Sequence, residues 1–167
     1  MRALLMSDPA VIDNLEFART AQRVSGTIAV TELKRTADYR FDDQGALEYA
    51  VIGGRDARNR PLLHIEVRGE IHLCCQRCLR KLPYRLHVVS ELPILTTDGT
   101  NREECTAEEL DGIAANPRTD VLELVEDEVL LALPMVPRHP EGQCDIALRD
   151  DAPIVALPVA PAQSKHN

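Results

Sequence analysis

The chain has 167 residues, of which 44% are hydrophobic but only 3% aromatic. That length fits a single domain of ordinary size with an aliphatic core. The sequence shows no apolar run long enough to cross a membrane and no secretory leader. The five cysteines are an odd number for a secreted disulfide scaffold. We therefore expect a cytoplasmic protein whose cysteines are free thiols or metal ligands.

The net charge of −8 conceals an uneven distribution of charge along the chain. Residues 55–85 contain eight cations and three acids, a net charge of +5. Residues 98–151 contain 15 acids and four cations, a net charge of −11. A uniformly acidic protein would repel a polyanion, but a chain with separate basic and acidic segments can bind one through its basic part.

The first elements predicted along the chain are a short helix and two strands. The segment "DNLEFARTAQRV" favours one or two helical turns with Leu15 and Ala18 on one side. Residues 24–33 are rich in β-branched side chains, and residues 46–54 alternate apolar with polar or small ones, so both segments predict strands.

The clearest pattern follows at residues 62–74, where apolar and polar side chains alternate over a dozen positions. This period of two predicts a long strand with one buried and one wet face. Residues 84–95 predict a second strand, so the C-x-x-C sequence between them would lie at the tip of an antiparallel hairpin. The wet face would then carry these five side chains: His64, Arg68, His72, Arg85 and His87.

The rest of the chain predicts one acidic connection, one helix and a tail. Residues 96–119 lack periodicity and are interpreted as a mobile acidic connection. Residues 119–133 predict the main helix, with Asp120 at its start, Pro134 at its end, and an apolar stripe. Its carboxylates are expected to face solvent: Glu123, Glu126, Asp127 and Glu128.

The predicted fold class is α+β. We expect a single domain over residues 1–146, in which an antiparallel meander of four or more strands packs against the one main helix. Residues 147–167 are rich in proline and alanine and predict a C-terminal tail.

Cys75 and Cys78 have the C-x-x-C spacing of many zinc sites, and a structural zinc takes about four ligands. His139 and Cys144, downstream of the main helix, would complete a Cys₃His set. The alternatives are inert thiols in a tight turn and redox chemistry, which a strand–turn–strand setting disfavours. Haem attachment is excluded because Leu79 follows the second cysteine.

The basic segment predicts contact with nucleic acid phosphates at the hairpin. The residues expected to make it are Arg68, Arg77, Arg80, Lys81 and Arg85. The alternative is a solvated hairpin whose cations only prevent edge pairing. The sequence contains no P-loop, no dinucleotide fingerprint and no zinc-protease motif, so we predict no catalytic residues, no small-molecule substrate and no enzyme activity.

Three segments in a fixed order resemble the bacterial YceD family, described as large ribosomal RNA subunit accumulation proteins. They are "FARTAQRVSGTI", "CQRCLRKLPYRL" and "TDVLELVEDEVLLALPMVPRHPEGQC", and the resemblance spans about residues 16–144. The third segment is the most specific. Many relatives carry several cysteines after "LALP", whereas this chain keeps only Cys144, with His139 nearby.

The resemblance implies a cytosolic, non-enzymatic ribosome-biogenesis factor. It would support synthesis, processing or stability of large-subunit ribosomal RNA by binding that RNA or an early pre-ribosomal complex, including its ribosomal proteins. Two alternatives stay open: an adaptor whose acidic surface binds a basic ribosomal protein, and a sensor module based on zinc or thiols.

Overall fold

A computed structural model describes residues 10–95 and 112–144. Five strands form one sheet in the order β2-β3-β4-β5-β6, and a separate two-stranded sheet pairs β1 with β7. The strands are β1 (Val11–Ile12), β2 (Arg23–Ala29), β3 (Ala46–Arg55), β4 (Pro61–Cys74), β5 (Lys81–Leu95), β6 (Ile113–Ala114) and β7 (Thr119–Asp120). The predicted α+β class with its antiparallel meander is confirmed, and among the described residues the one parallel pair of this sheet joins β5 to β6.

The hairpin of β4 and β5 is the longest element of the fold. Its register runs from Leu62 opposite Pro93 to Cys74 opposite Lys81. Alternation along β4 turns the odd-numbered side chains into the core, where Leu63, Ile65, Val67, Ile71 and Leu73 are buried. The even-numbered side chains of β4 and the odd-numbered side chains of β5 form what we call the open face of the sheet, which carries the five polar residues predicted there.

Two helices pack on the opposite face of the sheet, which we call the packed face: α1 (Asn14–Arg19) and α2 (Val121–Ala132). The Asp13 carboxylate caps α1 by accepting from the backbone N–H of Glu16. The Asp120 carboxylate caps α2 by accepting from the N–H groups of Leu122 and Glu123. The α2 helix is 12 residues long, and within residues 10–95 and 112–144 no helix has the length and apolarity needed to cross a membrane.

The strand predicted over residues 24–33 is too long. The structure ends β2 at Ala29, and two 3₁₀ helices follow at Val30–Glu32 and Lys34–Tyr39. This change of direction buries the side chains of Val30 and Leu33 in the core. Hydrophobic burial thus overrides the strand preference of the β-branched residues.

The prediction that four carboxylates of α2 face solvent is wrong for two of them. Glu126 is buried and accepts from the backbone N–H of Arg35 at 2.6 Å and from its Nε at 3.2 Å. Glu128 is buried and accepts from the Ser90 hydroxyl at 2.5 Å. A buried carboxylate requires such donors, and these come from segments that the helix sequence does not reveal.

The predicted acidic connection lies partly outside the described residues. Residues 96–111 are not described, and neither is the predicted tail at 147–167. The last part of the connection contains β6 and the start of β7. The side-chain amide of Asn14, buried in α1, holds this segment through two hydrogen bonds. It donates to the Ala114 carbonyl at 3.0 Å and accepts from the Asn116 N–H at 2.9 Å.

We expect Gly53→Ala to lower the free energy of unfolding by about 3 kcal/mol, because a methyl group there overpacks the core. A Cβ at Gly53 would lie 2.2 Å from the Phe17 carbonyl oxygen and 2.7 Å from the Ala18 Cα, both backbone atoms of α1. Urea denaturation measures the change.

The neighbouring residue provides the control. A Cβ at Gly54 would meet only the Leu62 Cδ1, at an ordinary contact distance of 3.8 Å, so Gly54→Ala should leave stability within about 1 kcal/mol of the wild type. Equal losses in both variants would contradict close packing of α1 on β3.

Candidate functional site

The turn between β4 and β5, which we call the cysteine turn, places Cys75 and Cys78 at the hairpin tip. The N–H of Cys75 donates to the Arg80 carbonyl at 3.0 Å, and the N–H of Leu79 donates to the Cys75 carbonyl at 2.8 Å. Leu79 has a φ of 56°, in the left-handed region that favours glycine. The turn is thus tightly closed in the strand–turn–strand setting predicted from the sequence.

The segment after α2 reaches the same tip from the other end of the described chain. Leu133 follows the helix in an extended conformation, and the Tyr84 hydroxyl of β5 donates to the Ala132 carbonyl at 3.3 Å. Further on, the N–H of Gln76 in the cysteine turn donates to the Pro137 carbonyl at 2.8 Å. These contacts carry His139 and Cys144 to the turn.

The four side chains predicted as metal ligands come together in the structure. The ligand atoms of Cys75, Cys78, His139 and Cys144, hereafter the Cys₃His cluster, lie within 4.8 Å of one another. The Cys75 and Cys144 sulfurs are 3.7 Å apart. The His139 Nδ1 lies 3.4 Å from the Cys78 sulfur and 3.7 Å from the Cys144 sulfur.

These separations match those of a tetrahedral zinc site. Bond lengths of about 2.3 Å to sulfur and 2.0–2.1 Å to nitrogen place two sulfurs roughly 3.8 Å apart and a sulfur and a nitrogen roughly 3.6 Å apart. Three cysteines and one histidine are also a common donor set for structural zinc. The cluster is therefore compatible with a zinc ion in both chemistry and spacing.

The surroundings orient the cluster from outside. The His139 Nε2 lies 3.1 Å from the Lys81 carbonyl, which can only accept, so Nε2 carries a proton, and in the neutral ring Nδ1 is the nitrogen with a lone pair facing the cluster. Arg77 donates from Nε to the Cys144 sulfur at 2.9 Å. Its NH2 group donates to the carbonyls of His139 and Pro140 at 3.4 and 3.3 Å.

The pKa values of the cluster residues are shifted in opposite directions by their shared environment. Burial raises the pKa of the Cys75 thiol, but N–H groups of Cys78, His139 and Arg77 donate to its sulfur and bring the pKa down to about 5. Burial raises the pKa of Cys78, and the neighbouring sulfurs raise it further. Hydrogen bonds to Cys75 and Cys144 raise the pKa of His139. The site favours some negative charge but not three adjacent thiolates, a combination that suits a central cation.

The remaining cysteines lie apart from this group. Cys74 precedes the cysteine turn on the open face of β4 and is a free thiol, and Cys105 lies outside the described residues. Because Cys75 and Cys78 occupy a hairpin turn rather than the start of a helix, the arrangement differs from a thioredoxin-like redox site.

The five cations predicted to bind RNA divide into two groups. Arg77 and Arg80 lie in the cysteine turn, and Arg68, Lys81 and Arg85 lie on the open face of the hairpin. Arg77 packs against the cluster, which no local pattern indicated because its partner lies 67 positions away. Arg138, which is exposed next to Pro137, adds a cation at the tip that sequence analysis did not select.

Carboxylates accompany the cations of the open face. Arg68 pairs with Glu48 at 2.9 Å, Lys81 with Asp42 at 3.4 Å and Arg85 with Glu70 at 3.9 Å. His72 lies 2.7 Å from Asp42 through Nδ1, and the hydrogen bond from His72 is the main cause that holds the pKa of Asp42 below its usual value. Most charges on the open face are therefore paired with an opposite charge. The Arg85 side chain nevertheless remains 93% exposed.

We expect Leu79→Gly to raise the free energy of unfolding by about 0.5–1 kcal/mol, because glycine adopts the left-handed backbone without the steric cost of a Cβ. The greater freedom of glycine in the unfolded chain limits the gain. Leu79→Ala keeps the strained backbone and removes only a side chain that is 69% exposed, so its stability should stay near that of the wild type. An equal gain in both variants, measured by denaturant unfolding, would rule out backbone strain as the cause.

Comparisons with known proteins agree with the resemblance seen in the sequence. A protein of Haemophilus influenzae named "Large ribosomal RNA subunit accumulation protein YceD" is 26% identical over 148 residues, spanning 85% of this chain and 82% of the relative. No solved structure matches. The sequence model of the family "Large ribosomal RNA subunit accumulation protein YceD" matches residues 63–158, more than half of the chain. This chain therefore belongs to the YceD family.

Proposed function

We propose that this protein is a non-enzymatic ribosome-biogenesis factor that supports the accumulation of large-subunit ribosomal RNA by binding that RNA or an early pre-ribosomal particle. Membership of a family named for accumulation of this RNA is the observation that carries the proposal. The name describes an effect on RNA level rather than a reaction. The protein would act in the cytoplasm, where bacterial ribosomes assemble.

The hairpin tip is the proposed RNA contact. The cysteine turn and the adjoining end of the open face bring together the four cations Arg77, Arg80, Lys81 and Arg85. Arg85 has the most exposed side chain recorded among the ion-paired cations and the longest separation from its carboxylate partner. Exposed ion pairs contribute only about 0–1 kcal/mol, so a phosphate can replace the carboxylate at little cost.

We also propose that the Cys₃His cluster binds one structural Zn²⁺. Four protein ligands leave no open position for substrate, so the ion would have no catalytic role. Its role would be to join the cysteine turn to residues 139–144, two segments that are about 60 positions apart in the chain. The shape of the tip, and with it the placement of Arg77 and Arg80, would then depend on the metal.

Purified wild-type protein should contain one zinc per chain. The metal-free protein should have a melting temperature about 10 °C below that of the zinc-saturated protein. Cys144→Ser should lose the zinc on dialysis, because three ligands hold the ion poorly. Metal analysis and thermal unfolding provide the two measurements.

Cys74→Ser is the matched control, since Cys74 adjoins the cluster in sequence but is not part of it. It should keep the metal and the wild-type melting temperature. A wild-type protein that takes up no zinc after exposure to the metal would refute the metal site without affecting the RNA proposal.

Arg80→Glu with Arg85→Glu should weaken binding to a large-subunit ribosomal RNA fragment at least about tenfold and reduce the steepness of its salt dependence. Each lost phosphate contact lowers the slope of log K against log salt concentration by roughly 0.7–0.9. Arg77 is left unchanged because its contact with Cys144 would confound the result.

Arg55→Glu with Arg58→Glu makes the same change in charge at the β3–β4 loop, the opposite end of the hairpin, and should bind nearly as the wild type does. Equal losses of RNA affinity in the two double variants would show that overall charge, rather than a contact at the tip, determines binding. If the tip variant bound RNA as the wild type does, the proposed contact at the tip would be wrong. If the wild type bound no naked RNA but still associated with pre-ribosomes, contact through a ribosomal protein would replace the proposal.

A further inference from the structure

Two of the five aromatic side chains lie on the surface, although aromatic residues are scarce in this chain. Phe17 is buried, and Tyr49 and Tyr84 pack against the core. Tyr39 and Phe41 remain 47% and 46% exposed. Exposure of two large rings so close in sequence is unfavourable in water, and a binding partner that covers them would recover that free energy.

The backbone that carries these rings is anchored to the edge of β4 beyond the point where β3 pairing ends. Arg40 forms a β-bridge with Leu73, and the Phe41 N–H donates to the His72 carbonyl at 2.7 Å. The Arg40 guanidinium is largely buried and donates to the Val30 carbonyl at 2.6 Å. This short bridge holds the two aromatic residues in fixed positions.

Backbone pairing places Phe41 on the open face of the sheet. Arg40 has an extended conformation and lies opposite buried Leu73, so the side chain of the next residue, Phe41, turns to the other face beside His72. Tyr39 ends the 3₁₀ helix and directly precedes this bridge. Its exposed ring therefore enters at the same edge of the sheet.

The rows of the open face continue from β4 into β5 and reach the proposed RNA contact. His72 is opposite Pro83, and Cys74 is opposite Lys81. Glu70 opposite Arg85 forms the next row. The end of the sheet near the tip therefore presents the exposed ring of Phe41 on the open face and that of Tyr39 at its edge, with Lys81 and Arg85 two strands away.

We propose that Tyr39 and Phe41 stack against unpaired bases, so that this face binds single-stranded RNA while the cations of β5 and the cysteine turn contact its phosphates. This inference rests on the proposed RNA-binding function and specifies its ligand. Sequence-specific and single-strand binding surfaces commonly combine stacking rings with a cationic track, because the bases of a single strand are free to leave their neighbours. A double helix keeps its bases stacked and offers no ring faces.

The carboxylates near the rings determine where the phosphates run. Asp42, which follows Phe41, accepts from His72 and lies 3.4 Å from the Lys81 ammonium. Asp43 pairs with Arg40 at 3.2 Å. These two charges repel phosphates on the side of the 39–43 segment, so the sugar–phosphate chain would follow β5 and the bases would point toward the rings.

The test measures binding of the full-length protein to a labelled 12-nucleotide oligouridine and to a 12-base-pair RNA duplex. Tyr39→Leu with Phe41→Leu preserves apolar bulk but removes both ring faces, and should weaken single-strand binding about tenfold or more, since stacking losses of that size are usual for one base. Binding to the duplex should change less than about twofold.

Two control variants accompany the measurement. Val89→Ala removes an exposed apolar side chain elsewhere on the open face and should bind the single strand as the wild type does. Tyr39→Phe keeps the ring and should retain binding, which separates stacking from a hydrogen bond of the hydroxyl. Ultraviolet crosslinking to oligouridine should mark Tyr39 or Phe41 in the wild type.

The outcomes distinguish this inference from the function on which it rests. If the double Leu variant binds the single strand as tightly as the wild type, stacking is refuted while RNA binding stands. If both ligands lose affinity equally, the rings support the fold rather than contact bases. If the wild type binds neither RNA, the proposed RNA contact and the stacking inference both fail, and the rings would instead suit a protein partner.

Discussion

The ladder between β4 and β5 is the constraint on which the other features depend. Thirteen residue pairs, from Leu62–Pro93 to Cys74–Lys81, fix which side chains share a face and where the chain turns. A shift of one residue would exchange the core and open faces and bury the charged residues. The same register sets Cys74 opposite Lys81, so it also fixes the two ends of the cysteine turn that carries Cys75 and Cys78.

The tip illustrates how a small amount of local order supports a larger site. Hydrogen bonds within the turn position two sulfurs, and contacts from Gln76 to Pro137 and from Tyr84 to Ala132 bring the segment after α2 alongside. Arg77 then bonds both the Cys144 sulfur and the backbone beyond His139. A cationic side chain thus contributes to the framework of the site, while Arg85 extends into solvent. The charges of the basic segment have different physical roles.

Periodicity in the sequence was enough to predict the hairpin and the main helix. Alternation over residues 62–74 is a local property of the chain, and so are the Asp120 cap and the proline that follows α2. Prediction failed where contacts with segments distant in sequence determine the structure. The chain leaves the sheet at Ala29 to bury Val30 and Leu33, and the backbone of Arg35 and the hydroxyl of Ser90 make it possible to bury Glu126 and Glu128.

The sequence by itself determined the long hairpin, its C-x-x-C tip, the capped helix and the choice of His139 and Cys144 as further ligand candidates, because each is written in spacing or residue type. Only the tertiary structure decided that those four side chains meet, that Arg77 joins them, and that Phe41, with Tyr39 before it in the chain, reaches the edge of β4. The reason is the same in each case. These contacts span 30 to 70 positions of the chain, and their geometry comes from the packing of α2 and the bridge at Arg40 rather than from any local pattern.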